Sequence, residues 1–505
     1  KKENQNFKIL SSLKKLLGQT AIYGSSSIIG RFMNFLLTPL YVIQFSNEQY
    51  GIITEMYAYV AFLVVLLTYG METAFFRFSN KKIIFQNVYS NTLFSIMTTS
   101  ILFILLVSYF SQDIANLLKY PEHSEYIIWF GLIVGLDAVS SIPLANLRLQ
   151  EKAKKFALIN FLNVGINIGL NLFFIFYCKV NFDNGNSNWI IKNFYNPSIG
   201  VGYVFISNLI SSIIKFIFLG KEMRFNGEFD FSLIKSMLKY SFPMLLVGLA
   251  YVINETLDRA MLKEILYQQY IDLGTSPSIA LEKAQSQNGI YGANYKLTMI
   301  VSMIIQAFRY ASEPFFFKDG KNKTSKETLA IVMNYFTIVM IFIFLLITLY
   351  LQIFKYFINN PDYWEGLVVV PILLVANICL GIYTSLSIWY KLSDKTIYGA
   401  YISGFGVIVT IIVNSLLIPI YGYKASAIAT LICYGSMMIL SFSLGQKYYW
   451  VPYNLKKFFI YLLSAIVIYF ISIPIDPLGS LSIIGFSYHT LLLLSLLLLD
   501  LIMEK

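Results

Sequence analysis

Residues 16–45 read LLGQTAIYGSSSIIGRFMNFLLTPLYVIQF, an apolar run long enough to cross a bilayer that carries one charge, Arg31. The polar and small residues Thr20, Gly24, Ser27, Asn34 and Thr38 recur around it at intervals of three and four, which places them with Arg31 on one helical face. A charge inside a membrane helix is costly unless it faces protein or water. A one-sided polar stripe around Arg31 therefore points to a solvated cavity, and the segment reads as the wall of a transport pathway.

The rest of the chain agrees with a membrane setting. Its 505 residues are 57% hydrophobic and 13% charged, with a mean hydropathy of +0.64, too apolar for a soluble protein of this length. Apolar stretches of bridging length lie at 17–45, 51–76, 88–111, 124–146, 155–178, 199–220, 239–262, 288–316, 328–354, 363–389, 396–419, 423–445, 457–475 and 480–502. The predicted fold is an all-α integral membrane protein with about 14 transmembrane helices.

The net charge of +11 does not indicate nucleic acid, because the basic residues follow the loops. Lys1, Lys2, Lys8, Lys14 and Lys15 open the chain, and every second loop repeats the excess: Arg77, Lys81 and Lys82; Arg148, Lys152, Lys154 and Lys155; Lys221, Arg224, Lys235 and Lys239; Lys318, Lys321, Lys323 and Lys326; Lys391 and Lys395; Lys447, Lys456 and Lys457. The opposite loops are poor in Lys and Arg. By the positive-inside rule both termini are cytoplasmic. The first apolar run is too long for a cleaved signal and stays in the membrane. Cys178, Cys379 and Cys433 are scattered, and His123 and His489 have no partners at ligand spacing, so no metal or cofactor is expected.

An internal repeat organises the chain. Glu48-Gln49-Tyr50-Gly51-Ile52 opens the second span and Gly289-Ile290-Tyr291-Gly292 the eighth; each span ends in an aromatic cluster, Phe75-Phe76-Arg77-Phe78 and Pro314-Phe315-Phe316-Phe317-Lys318, that runs into a basic loop. Six helices are used twice, predicting lobes at 1–225 (helices 1–6) and 226–450 (helices 7–12) related by a pseudo-twofold axis along the membrane normal, with helices 13–14 at 451–505 outside the repeat. The external segments 179–198 and 263–287 read as short and polar, the latter with only a brief surface helix at 276–283. No long external loop exists to build an active site, and an enzyme is not expected.

The candidate binding groups lie inside spans. Asn160, Asn163, Asn167 and Asn171 form one amide-rich face of span five, either holding helices together or offering donors and acceptors to a sugar or a water column. Ser403, Thr410 and Asn414 repeat the pattern in span eleven. Span eight carries Lys296, Ser302, Gln306, Arg309 and Glu313, of which Arg309 and Glu313 are spaced for an ion pair. The acids are Glu55, Glu72, Asp137, Glu255, Asp258 and Glu313. Asp137, a lone carboxylate near midplane, either binds a coupling H⁺ or Na⁺ or partners Arg31; Glu255 is the second candidate for ion coupling. Asp258-Arg259, at the outer end of span seven, reads as an interfacial anchor. Arginine suits bidentate recognition of phosphate and lysine supplies a point charge, so Arg31, Lys296 and Arg309 suggest an anionic cargo, with Asn34, Asn163 and Asn167 as polar contacts.

Taken in order, Pro39-Leu40-Tyr41, Glu48-Gln49-Tyr50-Gly51, Gly70-Met71-Glu72 to Arg77-Phe78, Leu257-Asp258-Arg259, Gly289-Ile290-Tyr291 and Gln306-Ala307-Phe308-Arg309 to Glu313-Pro314-Phe315-Phe316 resemble the multidrug/oligosaccharidyl-lipid/polysaccharide exporter superfamily. Within it the chain resembles the Wzx-type polysaccharide, or O-antigen, flippases. The resemblance implies two six-helix lobes around a V-shaped cavity, alternating access, and an undecaprenyl-pyrophosphate-linked oligosaccharide as cargo, with membrane lipid and polysaccharide-assembly proteins as partners. The extra helix pair resembles that of the lipid II flippases, where it helps form a groove for the lipid tail. A cation-coupled multidrug exporter of the same fold, and a membrane polysaccharide polymerase or ligase, are the alternatives. The 263–287 segment departs from the compact turn the resemblance implies there.

The topology is testable by cysteine accessibility. Cysteines at Ser79 and Lys323 should resist a membrane-impermeant thiol reagent in intact cells, and cysteines at Asn186 and Ser276 should react; reaction at Lys323 would reverse the orientation.

Overall fold

The computed structural model describes residues 28–79, 85–186, 188–319, 323–393, 395–473 and 483–503, with the backbone alone described for 310–319, 323–325, 483 and 497–503. Thr20, Gly24 and Ser27 of the opening stripe and the Glu313 side chain lie outside the described part. Among the described residues every regular element is helical. We label the principal helices α1 (Ile28–Gln44), α2 (Asn47–Ser79), α3 (Phe85–Tyr109), α4 (Ser124–Leu149), α5 (Ala153–Asp183), α6 (Gly202–Leu219), α7 (Phe231–Asp272), α8 (Pro277–Asp319), α9 (Lys323–Leu349), α10 (Pro361–Leu392), α11 (Ile397–Tyr421), α12 (Tyr423–Tyr448), α13 (Leu455–Ser472) and α14 (Ile483–Met503). Among the described residues 11 helices, α2 to α7 and α9 to α13, are long and apolar enough to cross a membrane. The expected count of about 14 rests further on α1, α8 and α14, which are shorter in their described apolar part or more polar.

Two compact units divide the chain: Lys1–Gln44 with Glu55–Thr256, and Phe45–Thr54 with Leu257–Lys505. In the first, α4 is the central helix, with 61% of its apolar window buried; it packs on α3 and α6, and α5 packs on α6. In the second, α10 takes that place with 72% buried; it packs on α9 and α12, and α11 packs on α12. The same pairings thus recur six helices later, as the sequence repeat implies. Small residues make this close packing possible: Ala425, Ala429, Ser426 and Gly445 of α12 are all buried. α13 and α14 pack on α9 and on each other. Outward positions remain apolar, with Leu102, Leu105, Ile217, Ile420 and Leu463 all more than half exposed, the arrangement a lipid solvent requires.

Local chemistry explains the interruptions. α2 breaks at Tyr69 and Gly70, both with positive φ, where an added Cβ on Gly70 would lie 2.7 Å from the Ser241 carbonyl. Beyond the break Met71, Ala74, Phe75 and Phe78 enter the core of the first unit, Arg77 lies 4.2 Å over the Tyr240 ring, and Glu72 pairs with Arg148. α1 loosens at Leu36 and Leu37 because Pro39 has no N–H to give the Phe35 carbonyl.

The 263–287 segment corrects the sequence reading. α7 runs on to Asp272 and α8 starts at Pro277, giving helices of 42 and 43 residues joined by 273–276 alone. The stretch that reads as loop is rich in Leu, Glu, Gln, Ala and Lys, all strong helix formers, and Gly274 with φ +81° closes the turn.

The tightest packing lies in the second unit, where the two repeat markers meet. A Cβ added to Gly289 would stand 1.8 Å from the Asn47 carbonyl oxygen, one added to Gly51 2.1 Å from that of Gln285, and one added to Gly292 2.6 Å from the Thr54 side chain. The start of α2 therefore crosses α8 backbone to backbone. Around the crossing Asn47 Nδ2 donates to the Asp362 carbonyl at 3.1 Å, Tyr363 Oη donates to the Phe45 carbonyl at 3.1 Å, and Asn294 Nδ2 donates to the Tyr363 carbonyl at 2.8 Å.

Gly289→Ala should lower the thermal unfolding midpoint in detergent by an amount equivalent to about 1–3 kcal/mol or abolish folding, since no side-chain rotation clears a clash with backbone. Gly404→Ala, where an added Cβ meets nothing within 4 Å, should be neutral or slightly stabilising. Equal midpoints for the two variants would remove the crossing as a constraint.

Candidate functional site

The polar face of α1 meets the amide face of α5. Asn167 Nδ2 donates to Asn34 Oδ1 at 3.3 Å, Asn171 Nδ2 donates to the Asn167 carbonyl at 2.8 Å and to its Oδ1 at 3.1 Å, and Tyr41 Oη donates to Asn171 Oδ1 at 2.9 Å. Burial grades along this ladder. Asn171, Tyr41 and Thr38 are buried, Asn163 and Asn167 are half-buried, and Asn34 and Arg31 are exposed. Asn163 Oδ1 is itself buried without a hydrogen-bond partner. Asn171 therefore ties α5 to α1, whereas Asn34, one turn from Arg31, stays at the surface of the first unit. Immediately after Asn171 the helix widens to π geometry over Leu172–Lys179, which shifts the register of its later side chains. In the second unit Asn414 and Thr410 are buried and Ser403 lies 3.3 Å from Tyr383 Oη, so the thinner copy of the pattern is an interior one.

Asp137 is not a lone carboxylate and does not depend on Arg31 for a partner. Lys215 Nζ donates to its Oδ1 at 2.7 Å and Ser212 Oγ at 2.9 Å, with the Lys215 side chain 9% and the Asp137 side chain 29% exposed. The sequence holds this pair in a form easy to pass over. Asp137 and Lys215 stand at equal steps from the starts of α4 at Ser124 and α6 at Gly202, and the two helices are parallel neighbours. Glu55 was also missed as a site: it is fully buried, accepting from Tyr59 Oη at 2.7 Å and Tyr120 Oη at 2.5 Å. Glu255 is half-buried on α7.

In the second unit Lys296 and Arg309 are half-buried on α8. Asp258 and Arg259 are buried, which overturns their reading as an interfacial anchor. Tyr291 Oη donates to Asp258 Oδ2 at 2.6 Å, Arg259 Nη1 donates to Asp258 Oδ1 at 3.2 Å, and the Arg259 guanidinium lies 4.4 Å over the Tyr295 ring. Their partners Tyr291 and Tyr295 lie on α8. Among the described residues no group of His, Cys, Asp and Glu could hold a metal ion.

A sequence pattern described as polysaccharide biosynthesis protein matches residues 16–319, which include α1 to α8 and every residue of the α1–α5 face. The chain belongs to the polysaccharide biosynthesis protein family. No curated protein matches it by sequence. Among solved structures the lipid II flippase MurJ in an inward closed conformation is similar with a TM-score of 0.65 and 16% identity, covering 96% of this chain and 100% of that one. An inward-facing multidrug resistance MATE family transporter of the MOP superfamily is similar with a TM-score of 0.65 and 12% identity over 83% of this chain and 94% of that one. A MOP superfamily transporter from Pyrococcus furiosus, described by the reverse polarity of its binding pocket, gives a TM-score of 0.52 and 12% identity, with 85% and 95% covered. This member of the polysaccharide biosynthesis family thus shares its fold with a flippase and with transporters.

The role of the Asp137–Lys215 pair separates stability from transport. Asp137→Leu should destabilise the protein by about 3 kcal/mol or more by leaving a cation buried alone, and Asp137→Leu with Lys215→Leu should recover most of that loss. Thermal unfolding in detergent reads both. A double variant no more stable than the single one would show that the two charges are not coupled.

Proposed function

We propose that this protein is a flippase for a polyprenyl-pyrophosphate-linked oligosaccharide, carrying the glycan from the cytoplasmic to the outer leaflet for surface polysaccharide assembly. The observation that carries the reading is the exposed Arg31 beside the Asn34–Asn167 amide pair, within the stretch that matches the polysaccharide biosynthesis family. A guanidinium offers a fixed fork of donors to a pyrophosphate, and amides offer both donors and acceptors to sugar hydroxyls. The likeness to the lipid II flippase MurJ over 96% of the chain supports a lipid-linked cargo over a drug. A multidrug exporter for cations would call for an acidic aromatic site, and the α1–α5 face presents a base and amides.

The energetics fit a passive outward step. Moving a pyrophosphate out of an interior-negative cell is favoured by about 2.3 kcal/mol per charge per 100 mV, so the demanding step is return of the empty basic site. Uptake of H⁺ or Na⁺ on an acid assists that return, and Asp137, paired with Lys215, and Glu255, half-buried on α7, are the candidate acids.

Glycan export in a flippase-deficient strain, measured beside membrane abundance, tests the assignment. Arg31→Ala should lose most export at normal abundance, Arg31→Lys should keep part of it because the charge remains without the fork, and Lys296→Ala should weaken it less. Full export by Arg31→Ala would overturn the role given to this face.

A further inference from the structure

The first unit holds a second polar feature, at the end of α3, α4 and α6 where the basic loops lie. Loop 221–228 after α6 is pinned to the first turns of α3. The Glu228 N–H donates to Asn87 Oδ1 at 3.0 Å, the Gly227 N–H to Ser90 Oγ at 2.9 Å, and Asn91 Nδ2 to the Glu228 carbonyl at 2.7 Å. Gly227 sits so close that an added Cβ would lie 2.3 Å from the Gln86 carbonyl oxygen. Tyr89 Oη donates to the Glu222 carbonyl. A loop merely carrying topological charge needs no such backbone clamp.

The clamp leaves a cavity of about 260 Å³ between the loop, α3 and the end of α4. Lys152, Lys221 and Arg224 stand on its exposed rim and Asn146 and Tyr89 are buried in its wall. Its one acid, Glu222, is neutralised through Oε1 by Lys155, while Glu222 Oε2 is buried without a hydrogen-bond partner. The cavity therefore combines an excess of positive charge with an unused buried acceptor. A bare inorganic anion would satisfy only the first.

We propose that this cavity binds a phosphate ester that carries free hydroxyl groups, with the phosphate held by Lys152, Lys221 and Arg224 and a hydroxyl donating to Glu222 Oε2. The three cations supply charge-assisted hydrogen bonds. The same chemistry belongs to a phosphoglycerol lipid headgroup and to a soluble sugar phosphate. The site is separate from Arg31 and Asn34, so it stands or falls independently of the cargo reading.

Calorimetric titration of the purified full chain in detergent with inorganic phosphate, glucose 1-phosphate and short-chain phosphatidylglycerol tests it. Saturable binding of at least one of the two esters, tighter than inorganic phosphate, is expected, and Lys221→Ala with Arg224→Ala should weaken it about ten-fold or more. Both side chains are exposed, so the unfolding midpoint of the double variant should match that of the parent. Binding of phosphatidylglycerol alone assigns the lipid source, and binding of glucose 1-phosphate the soluble one. Absence of saturable ester binding, esters no tighter than inorganic phosphate, or undiminished affinity in the double variant would overturn the proposal.

Discussion

Backbone contact between the start of α2 and α8 is the constraint on which the second unit depends. Gly51, Gly289 and Gly292 remove the side chains that would hold the helices apart, and the Asn47, Tyr363 and Asn294 hydrogen bonds then fasten the start of α10 to the same place. Dispersion and polar contacts, rather than exclusion of water, drive helix association in lipid, so such close approach has particular weight here. It also accounts for the unit boundaries: the first turns of α2 belong to the second unit and the rest of the helix to the first.

The placement of charge follows the same economy of partners. Inside each unit ionisable groups are matched: Asp137 with Lys215 and Ser212, Glu55 with Tyr59 and Tyr120, and Asp258 with Arg259 and Tyr291. Each pairing answers the desolvation a charge suffers away from water. Against that background Arg31 differs in being exposed on a face whose deeper members, Asn171 and Tyr41, are committed to packing. Within one helical face the deeper rungs fix α1 to α5 while the outer rungs stay exposed, and the proposed function assigns those outer rungs to the cargo.

Much of the fold was legible because hydropathy, loop charge and the repeated Tyr-Gly markers are local signals. The span positions, the helical class and the recurrence after six helices all follow from them. The 263–287 segment was not, since its polar composition suggests a loop while its helix propensity builds two long extensions. Burial of Asp258 and Arg259 has no signature at the two residues themselves, because their partners Tyr291 and Tyr295 lie on another helix. The Asp137–Lys215 pair was within reach, because two isolated charges at matching depth in α4 and α6 are a readable coincidence. The asparagine ladder was visible as a face, but which rungs bond across to α1 depends on the position of Tyr41 and Asn34, which periodicity in α5 alone does not encode.

The most direct test of the flippase reading uses purified protein in liposomes with a synthetic polyprenyl-pyrophosphate oligosaccharide placed in one leaflet, followed by a membrane-impermeant glycosidase added outside. The account requires that the protein expose the glycan to the enzyme from the inner leaflet with no change in glycan length. Protection of the inner-leaflet glycan at the level of protein-free liposomes would contradict it, as would the appearance of longer glycans, which would mark polymerisation instead.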